Sequence, residues 1–482
     1  MENFLGDISR SVQLSDDINR LLEVRTNPHS GRGVITKIDC SENQLVFLEE
    51  PLVLGPSNDP TSEFCCVLCY KILGTTTYNQ CESCSLPICS EKCLNQSSGI
   101  WHLRMECPLL AKSRSSISAQ VLLSTRSWLA PVRALILKLI DKPKWGQLLQ
   151  LEHHLNERRN CAILQRQQAL VWFAIQQLAV VETTQEEIRQ VCGIFDSNAF
   201  RFGVSREIRA LYTLVSLINH DCRPSTRVIF DTQFKARLSA RRTIRSGEEL
   251  TITYVSPLLN TRERREKLQR SKHFTCTCTR CEDPTEFGTH FSSLRCPKCI
   301  KGHLVDNDLP SCDNCSFKTT KEKVQCLMTA LSLKQEKALR KSDSTSLENI
   351  LGIYLKALSD NHSLVIDLKQ KLLSNLNREN KLQTWKRRLQ LNQEVINLLD
   401  RIDGSNSRQM GFLQYQRQCF FVIRLAHMQR LKTTCQNGVQ ESDEYERTDW
   451  LIGELEKSLS LATKLLKHDI NCPEELKRHQ VK

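Results

Sequence analysis

The sequence predicts a multidomain α+β protein, and three observations carry that expectation. At 482 residues the chain is too long for a single hydrophobic core. Cysteines recur in close, metal-like spacings as far as Cys315, among short strand-like apolar pieces. From Lys321 onward the metal motifs stop and apolar residues fall at helical spacing.

Residues 19–60 read as strand-rich, with Val34-Ile35 and Val46-Phe47-Leu48 between turn signals. Gly31-Arg32-Gly33 lies within this stretch, inside Asn27–Val34. Residues 66–107 hold Cys66-x-x-Cys69, Cys81-x-x-Cys84, Cys89-x3-Cys93 and His102-x4-Cys107. So small a segment has little core of its own, so these eight potential ligands suggest two interleaved zinc sites. Residues 118–190 read as helices, with Trp128, Val132, Leu135, Ile136 and Leu139, then Leu170, Phe173, Leu178 and Val181, at helical spacing.

The most informative stretch is Asn219-His220-Asp221-Cys222-Arg223-Pro224, then Gly247-Glu248-Glu249-Leu250-Thr251-Ile252-Thr253-Tyr254, then Cys276-x-Cys278-x-x-Cys281. The cysteine triplet is one ligand short of a tetrahedral zinc site, and Cys222 can supply the fourth. That zinc would tie the Asn-His segment to the chain after Tyr254. A polar dipeptide, a tyrosine hydroxyl and a backbone turn would then share one pocket. Farther on, Cys296-x-x-Cys299 and Cys312-x-x-Cys315 have the spacing of a zinc ribbon. Beyond it Leu382, Trp385, Leu389, Ile396 and Leu399 share one helical face. Leu451, Ile452, Leu455, Leu459, Ala462 and Leu466 share another, and polar linkers near 404–407 and 436–448 separate the helices.

Fifteen of the 23 cysteines fall in metal-like spacings; most of the other eight read as small buried apolar residues. Met1-Glu2-Asn3-Phe4 lacks a signal-peptide layout, and the most apolar stretch, 170–181, is too short to span a bilayer. The expectation is an intracellular protein, cytoplasmic or nuclear, with no membrane partner. Net charge is +13, with the densest basic run at Arg262, Arg264, Arg265, Lys267, Arg270 and Lys272. That run reads as a solvated helix face. The cysteine module at 63–112 balances four basic against four acidic residues, which argues against direct nucleic-acid binding.

In their order, these motifs resemble the SET and MYND domain-containing family of protein-lysine methyltransferases, and within it the arthropod SmydA subgroup. Asn219, His220, Cys222, Pro224 and Tyr254 carry the SET resemblance. The extra ribbon and the Arg280–Glu286 stretch carry that to SmydA. The resemblance implies a β-rich SET domain in two parts, 19–60 and 201–255, split by a MYND finger at 66–107 and a helical insert at 118–200. A post-SET site at 256–283, a ribbon at 295–316 and a tetratricopeptide-like helical domain at 321–482 follow. In the finger it implies that Cys66, Cys69, Cys89 and Cys93 share one zinc, and Cys81, Cys84, His102 and Cys107 the other. With Cys222, Cys276, Cys278 and Cys281, and with Cys296, Cys299, Cys312 and Cys315, about four zinc ions are expected.

The family implies S-adenosylmethionine as cofactor, with Gly31, Arg32, Gly33, Asn198, Asn219, His220, Tyr254 and Phe274 around it and Tyr254 as the catalytic residue. Substrates would be proteins or peptides with an exposed lysine, the finger would take peptide ligands, and the chain would be a monomer. Three positions depart from the family pattern. The His102-to-Cys107 gap is one residue longer, Ser225 stands where an asparagine is usual, and Lys272-His273 stands where a second channel tyrosine is often found. The rival reading is an adaptor that keeps the SET fold as a scaffold.

Overall fold

The computed structural model describes residues 12–13, 18–28, 30–58, 64–74, 78–96, 99, 102–112, 125–178, 181–203, 208–305, 309–341, 343–379, 382–434 and 441–478. Strands from either side of a long interruption pair with one another. Leu22–Asn27 and Gly31–Thr36 form an antiparallel hairpin in register from Leu22↔Thr36 to Asn27↔Gly31. Gly31 closes the turn with φ 73°, a left-handed conformation that glycine adopts without a Cβ penalty. Glu249–Ile252 adds antiparallel to Gly31–Thr36. Asn219–His220 then pairs parallel to the other edge of that strand, Asn219↔Thr251 and His220↔Ile252.

A second sheet orders Val12–Gln13, Leu45–Glu49, Ala236–Ala240 and Thr226–Phe230, and a third orders Val53–Pro56, Ile208–Leu211 and Phe200–Phe202. Val34, Phe47, Ile218, Leu238, Ala240 and Leu250 fill the shared core, all fully buried. Glu49, also buried, accepts backbone N–H bonds from Leu214 and Val215 at 2.8 and 2.9 Å, which pins the turn leading to Asn219. Burial pushes its carboxyl up to about 7, against the pull of those donors.

The interruption has its own core, in which Cys66, Leu68 and Ile88 pack with Trp128, Leu135, Val171 and Val191. Its helices are Thr125–Ile140, Lys142–Leu149, Ala162–Leu178 and Gln185–Asn198, the last opened by a Thr184/Glu187 capping box. Leu139 and Phe173, read as core positions by their spacing, are instead 53% and 47% exposed.

Strands Leu294–Arg295, His303–Val305 and Ser311–Cys312 form the ribbon sheet. Helices Lys321–Lys341, Ser344–Ala357, Ser363–Glu379, Trp385–Ile402, Arg408–Thr434 and Glu441–Leu466 follow. The helical region docks on the second sheet through Arg241 and Asp403, 2.8 Å apart, and through Ile470 N–H donating to the Phe230 carbonyl at 2.6 Å. Residues 441–448, read as linker, are helical, and 436–440 lie outside the described residues. Among the described residues no helix is long and apolar enough to cross a membrane.

Of the eight cysteines outside the metal spacings, Cys40, Cys65, Cys192 and Cys472 are buried. Cys161 and Cys419 are half-buried, Cys326 is exposed, and Cys435 lies outside the described residues.

Candidate metal centres and cofactor pocket

Local turns bring the cysteines together in fours. Cys66 and Cys93 lie 4.0 Å apart through their sulfurs, and Cys69 and Cys89 3.6 Å, within one cluster. In the next, Cys81 and Cys107 are 3.7 Å apart, and Cys84 Sγ is 3.5 Å from His102 Nε2. Cys222 stands 3.9 Å from Cys276 and 3.5 Å from Cys281, with Cys278 in the same group. In the ribbon, Cys296 and Cys315 are 3.7 Å apart and Cys299 and Cys312 3.6 Å. Sulfurs about 2.3 Å from a tetrahedral zinc stand about 3.8 Å apart, and all these cysteines are free thiols, so the donor sets fit four zinc ions.

The extra residue between His102 and Cys107 is taken up by a π-helical turn over His102–Glu106. That turn keeps Cys107 beside Cys81 and sets Glu106 against His102. Nδ1 of His102 donates to Glu106 Oε1 at 2.6 Å, which leaves Nε2 for the metal. Arg133 closes on the same carboxylate through Nε at 2.7 Å and Nη2 at 2.6 Å, and also donates to the carbonyls of Leu54 and Val67. Burial alone would raise the Glu106 carboxyl, but Arg133 and His102 hold it at about 2. Sequence reading missed both residues. The longer gap signals a bulge around Glu106; nothing local signals Arg133.

Glu249–Ile252, lying between Gly31–Thr36 and Asn219–His220, assembles the pocket. Asn219 Nδ2 donates to Glu249 Oε1 at 2.7 Å and to the Arg32 carbonyl at 3.1 Å. A Cβ on Gly33 would stand 2.2 Å from Glu249 Oε1 and 2.9 Å from Asn219 Nδ2, so a side chain there would displace the hydrogen-bonded Glu249–Asn219 pair. His220 Nδ1 accepts from the Tyr254 backbone N–H at 3.0 Å, and Nε2 lies 3.3 Å from Cys222 Sγ. One ring therefore joins the metal cluster to the tyrosine. Burial pushes the His220 imidazolium down to about 4, so the ring is neutral at pH 7.

Tyr254 donates its hydroxyl to the Ile218 carbonyl at 2.6 Å, and burial raises its pKa. Its ring centre is 5.3 Å from that of His220, and the Phe274 ring is 6.2 Å from His220. Arg32 reaches away, donating to the Gln150 carbonyl at 2.6 Å. Asn198 is engaged elsewhere, donating to the carbonyls of Glu152 at 2.6 Å and Ile194 at 2.8 Å. Ser225 fills the usual asparagine position by exchanging hydrogen bonds with Thr251: its N–H donates to Thr251 Oγ1, and its Oγ accepts from Thr251 N–H, each at 2.9 Å.

The basic run is not a uniformly solvated face. Arg264 is fully buried, donating to Glu286 at 2.8 Å and to Cys281 Sγ at 3.4 Å. Arg280 joins the same glutamate at 2.9 Å, and Arg265 donates to the carbonyls of Cys276 and Cys281. Four thiolates around one Zn²⁺ leave excess negative charge, which these guanidiniums offset. Lys272 turns inward too. Its Nζ lies 4.9 Å from the Tyr254 ring centre and donates to the Ser197 carbonyl. Burial, then Arg158, push its ammonium down to about 8. His273 ends the helix with φ 60° and packs against His154.

Residues 31–255 match the SET domain family. SET domain-containing protein SmydA-8, isoform B, of Drosophila melanogaster is 28% identical over 57% of this chain and 60% of its own length. Isoform A is 27% identical, with 57% of its length covered, so the chain spans less than two thirds of these relatives. Histone-lysine N-methyltransferase ASHR1 of Arabidopsis thaliana is 26% identical over 73% of this chain and 74% of its own. The solved structure of Rubisco LSMT bound to AdoMet is 12% identical, covering 92% of this chain and 98% of that one, with a TM-score of 0.32, too low for a fold comparison. The SET match spans the strands that build the pocket, and the chain is similar to the SET domain-containing SmydA-8 proteins.

Proposed function

We propose that this protein transfers a methyl group from S-adenosylmethionine to the side-chain amine of a lysine in a protein substrate. The observation that carries the reading is the single strand Glu249–Ile252, which holds Gly33, Asn219, His220 and Tyr254 around one place. Gly31 and Gly33 supply backbone without side-chain bulk; Asn219 and His220 supply polar atoms; Tyr254 and Phe274 supply aromatic faces. Glu249 adds a carboxylate that complements a sulfonium. Arg32 contributes its backbone carbonyl, which accepts from Asn219, while the Asn198 side chain is held by the Glu152 and Ile194 carbonyls.

S-adenosylmethionine, when bound, supplies the electrophilic methyl on a positively charged sulfur. The chain's residues do the rest. The acceptor amine must be neutral, although free lysine titrates near ~10.4, and a desolvated wall of Tyr254 and Phe274 favours the neutral form. The Tyr254 hydroxyl, anchored on the Ile218 carbonyl, fixes the inner end of the acceptor path and so the line of attack. His220, neutral and bonded to the Tyr254 backbone, holds that hydroxyl in place. Cys222, Cys276, Cys278 and Cys281 would hold a zinc ion that ties the Asn219–His220 segment to the chain after Tyr254.

A second reading, the scaffold adaptor, is favoured by Lys272, whose amine already sits beside the Tyr254 ring. The two separate on one experiment: incubation with methyl-labelled S-adenosylmethionine and a protein panel, followed by mass spectrometry for methyl-lysine. Labelled methyl-lysine supports the enzyme; cofactor binding without transfer supports the scaffold.

A further inference from the structure

We propose that Lys272 is itself a methyl acceptor: its side-chain amine lies on the acceptor path beside Tyr254, and the chain methylates it in cis, in competition with a protein substrate. The inference rests on the methyl-transfer reading. Lys272 is the last residue of helix Thr261–Lys272, and His273 then ends the helix in a left-handed turn. From there Nζ lies 4.9 Å from the centre of the Tyr254 ring and donates to the Ser197 carbonyl. Ser197 belongs to helix Gln185–Asn198, so the amine bridges the helical insert and the tyrosine. The Tyr254 hydroxyl, held on the Ile218 carbonyl, sets the inner end of the acceptor path. An amine on this ring stands where a substrate lysine would have to pass.

A lysine acceptor must be neutral, and Lys272 meets that requirement without a partner protein. Arg158, Asp196 and Arg201 are charged groups that face it, and its own charge reaches His220 of the cofactor pocket. Burial, then Arg158, hold its ammonium at about 8. About a tenth of it is therefore neutral at pH 7, against under about one in a thousand for a free lysine. In the neutral form one N–H serves the Ser197 carbonyl and the lone pair remains to attack. That pair forms the N–C bond to the sulfonium methyl. The C–S bond breaks, its electrons stay on sulfur to give S-adenosylhomocysteine, and the methylammonium formed releases one proton to water. An amine tethered beside the ring needs no binding step, which favours it over a free acceptor.

The test incubates full-length wild type and Tyr254→Phe with methyl-labelled S-adenosylmethionine and no substrate. A glutamate-specific protease then releases residues 267–282 as one peptide for mass spectrometry. Wild type should carry methyl on Lys272, at a rate per chain unchanged by dilution of the protein. Tyr254→Phe should be about 10²–10³-fold slower. A methyl already on Lys272 as purified, and absent from Tyr254→Phe, is the same result. Methyl-lysine elsewhere, on this chain or on a protein panel, with Lys272 unmodified overturns the self-acceptor and leaves the transferase standing. No methyl on either overturns both, and a rate that falls with dilution shows transfer between chains and overturns the cis reaction. Binding gives a readout without turnover. Lys272→Met should tighten S-adenosylmethionine about tenfold by calorimetry and leave S-adenosylhomocysteine, which lacks the sulfonium charge, unchanged. An equal effect on both ligands, or on neither, would take the amine away from the reacting sulfur.

Discussion

The side-chain nitrogen of Lys272 lies 4.9 Å from the centre of the Tyr254 ring, at the end of the helix that carries the post-SET basic run. Its folded pKa of about 8 is below the unfolded value near ~10.4, so the unfolded chain holds this proton more tightly. Stability therefore rises with pH between about 8 and 10, and the penalty is fully present below 8. Lys272→Met should raise the melting temperature at pH 7, by about 2–4 °C for each kcal/mol regained, with the gain shrinking toward pH 10. Calorimetry of both proteins across that range checks the sign. Lys272→Tyr, which removes the internal amine and restores an aromatic wall, should increase methyl transfer at neutral pH.

Glu106 holds the charge balance between the finger and the insert. Glu106→Gln leaves Arg133 buried without its counter-ion and His102 with a weaker partner. Removing one member of such a buried pair costs about 3–5 kcal/mol. Zinc affinity of the His102 site should fall about 10–100-fold, as for other partners behind a metal-bound histidine. Chelator competition should show one ion leaving early while the post-SET and ribbon ions stay.

Cofactor binding should be visible without any substrate. S-adenosylmethionine at about 100 times its Kd would stabilise the fold by about 2.7 kcal/mol through linkage. Asn219→Ala removes the donor to Glu249 and to the Arg32 carbonyl. It should abolish the thermal shift and leave zinc content unchanged. A shift of wild-type size in the variant would remove Asn219 from the pocket.

Much of this arrangement was legible because metal ligation writes short, fixed spacings into a sequence. Cys66-x-x-Cys69 and Cys296-x-x-Cys299 announce their chemistry locally, and the order of Gly33, Asn219 and Tyr254 announces the pocket. What stayed hidden depends on partners distant in sequence. Arg133 meets the Val67 carbonyl 66 residues away. Arg264 looks like one more surface cation until Glu286 folds back on it. Lys272 has no local sign of burial, since its helix is strongly polar and only the packing of Ser197 and Tyr254 turns it inward. Residues 441–448, read as part of a linker, are helical for a simpler reason: a polar, acidic stretch is also a good helix start.

The central claim rests on one hydroxyl. Tyr254→Phe keeps the ring, so the packing against His220 and the neighbouring zinc site should survive. Loss of a hydrogen bond that counts in the transition state costs roughly 2.7–4 kcal/mol, or about 10²–10³ in rate. Methyl transfer to the best substrate of a protein panel should therefore fall by that factor in kcat, with the S-adenosylmethionine thermal shift unchanged. Equal turnover by wild type and Tyr254→Phe would contradict the account and make Tyr254 a core residue.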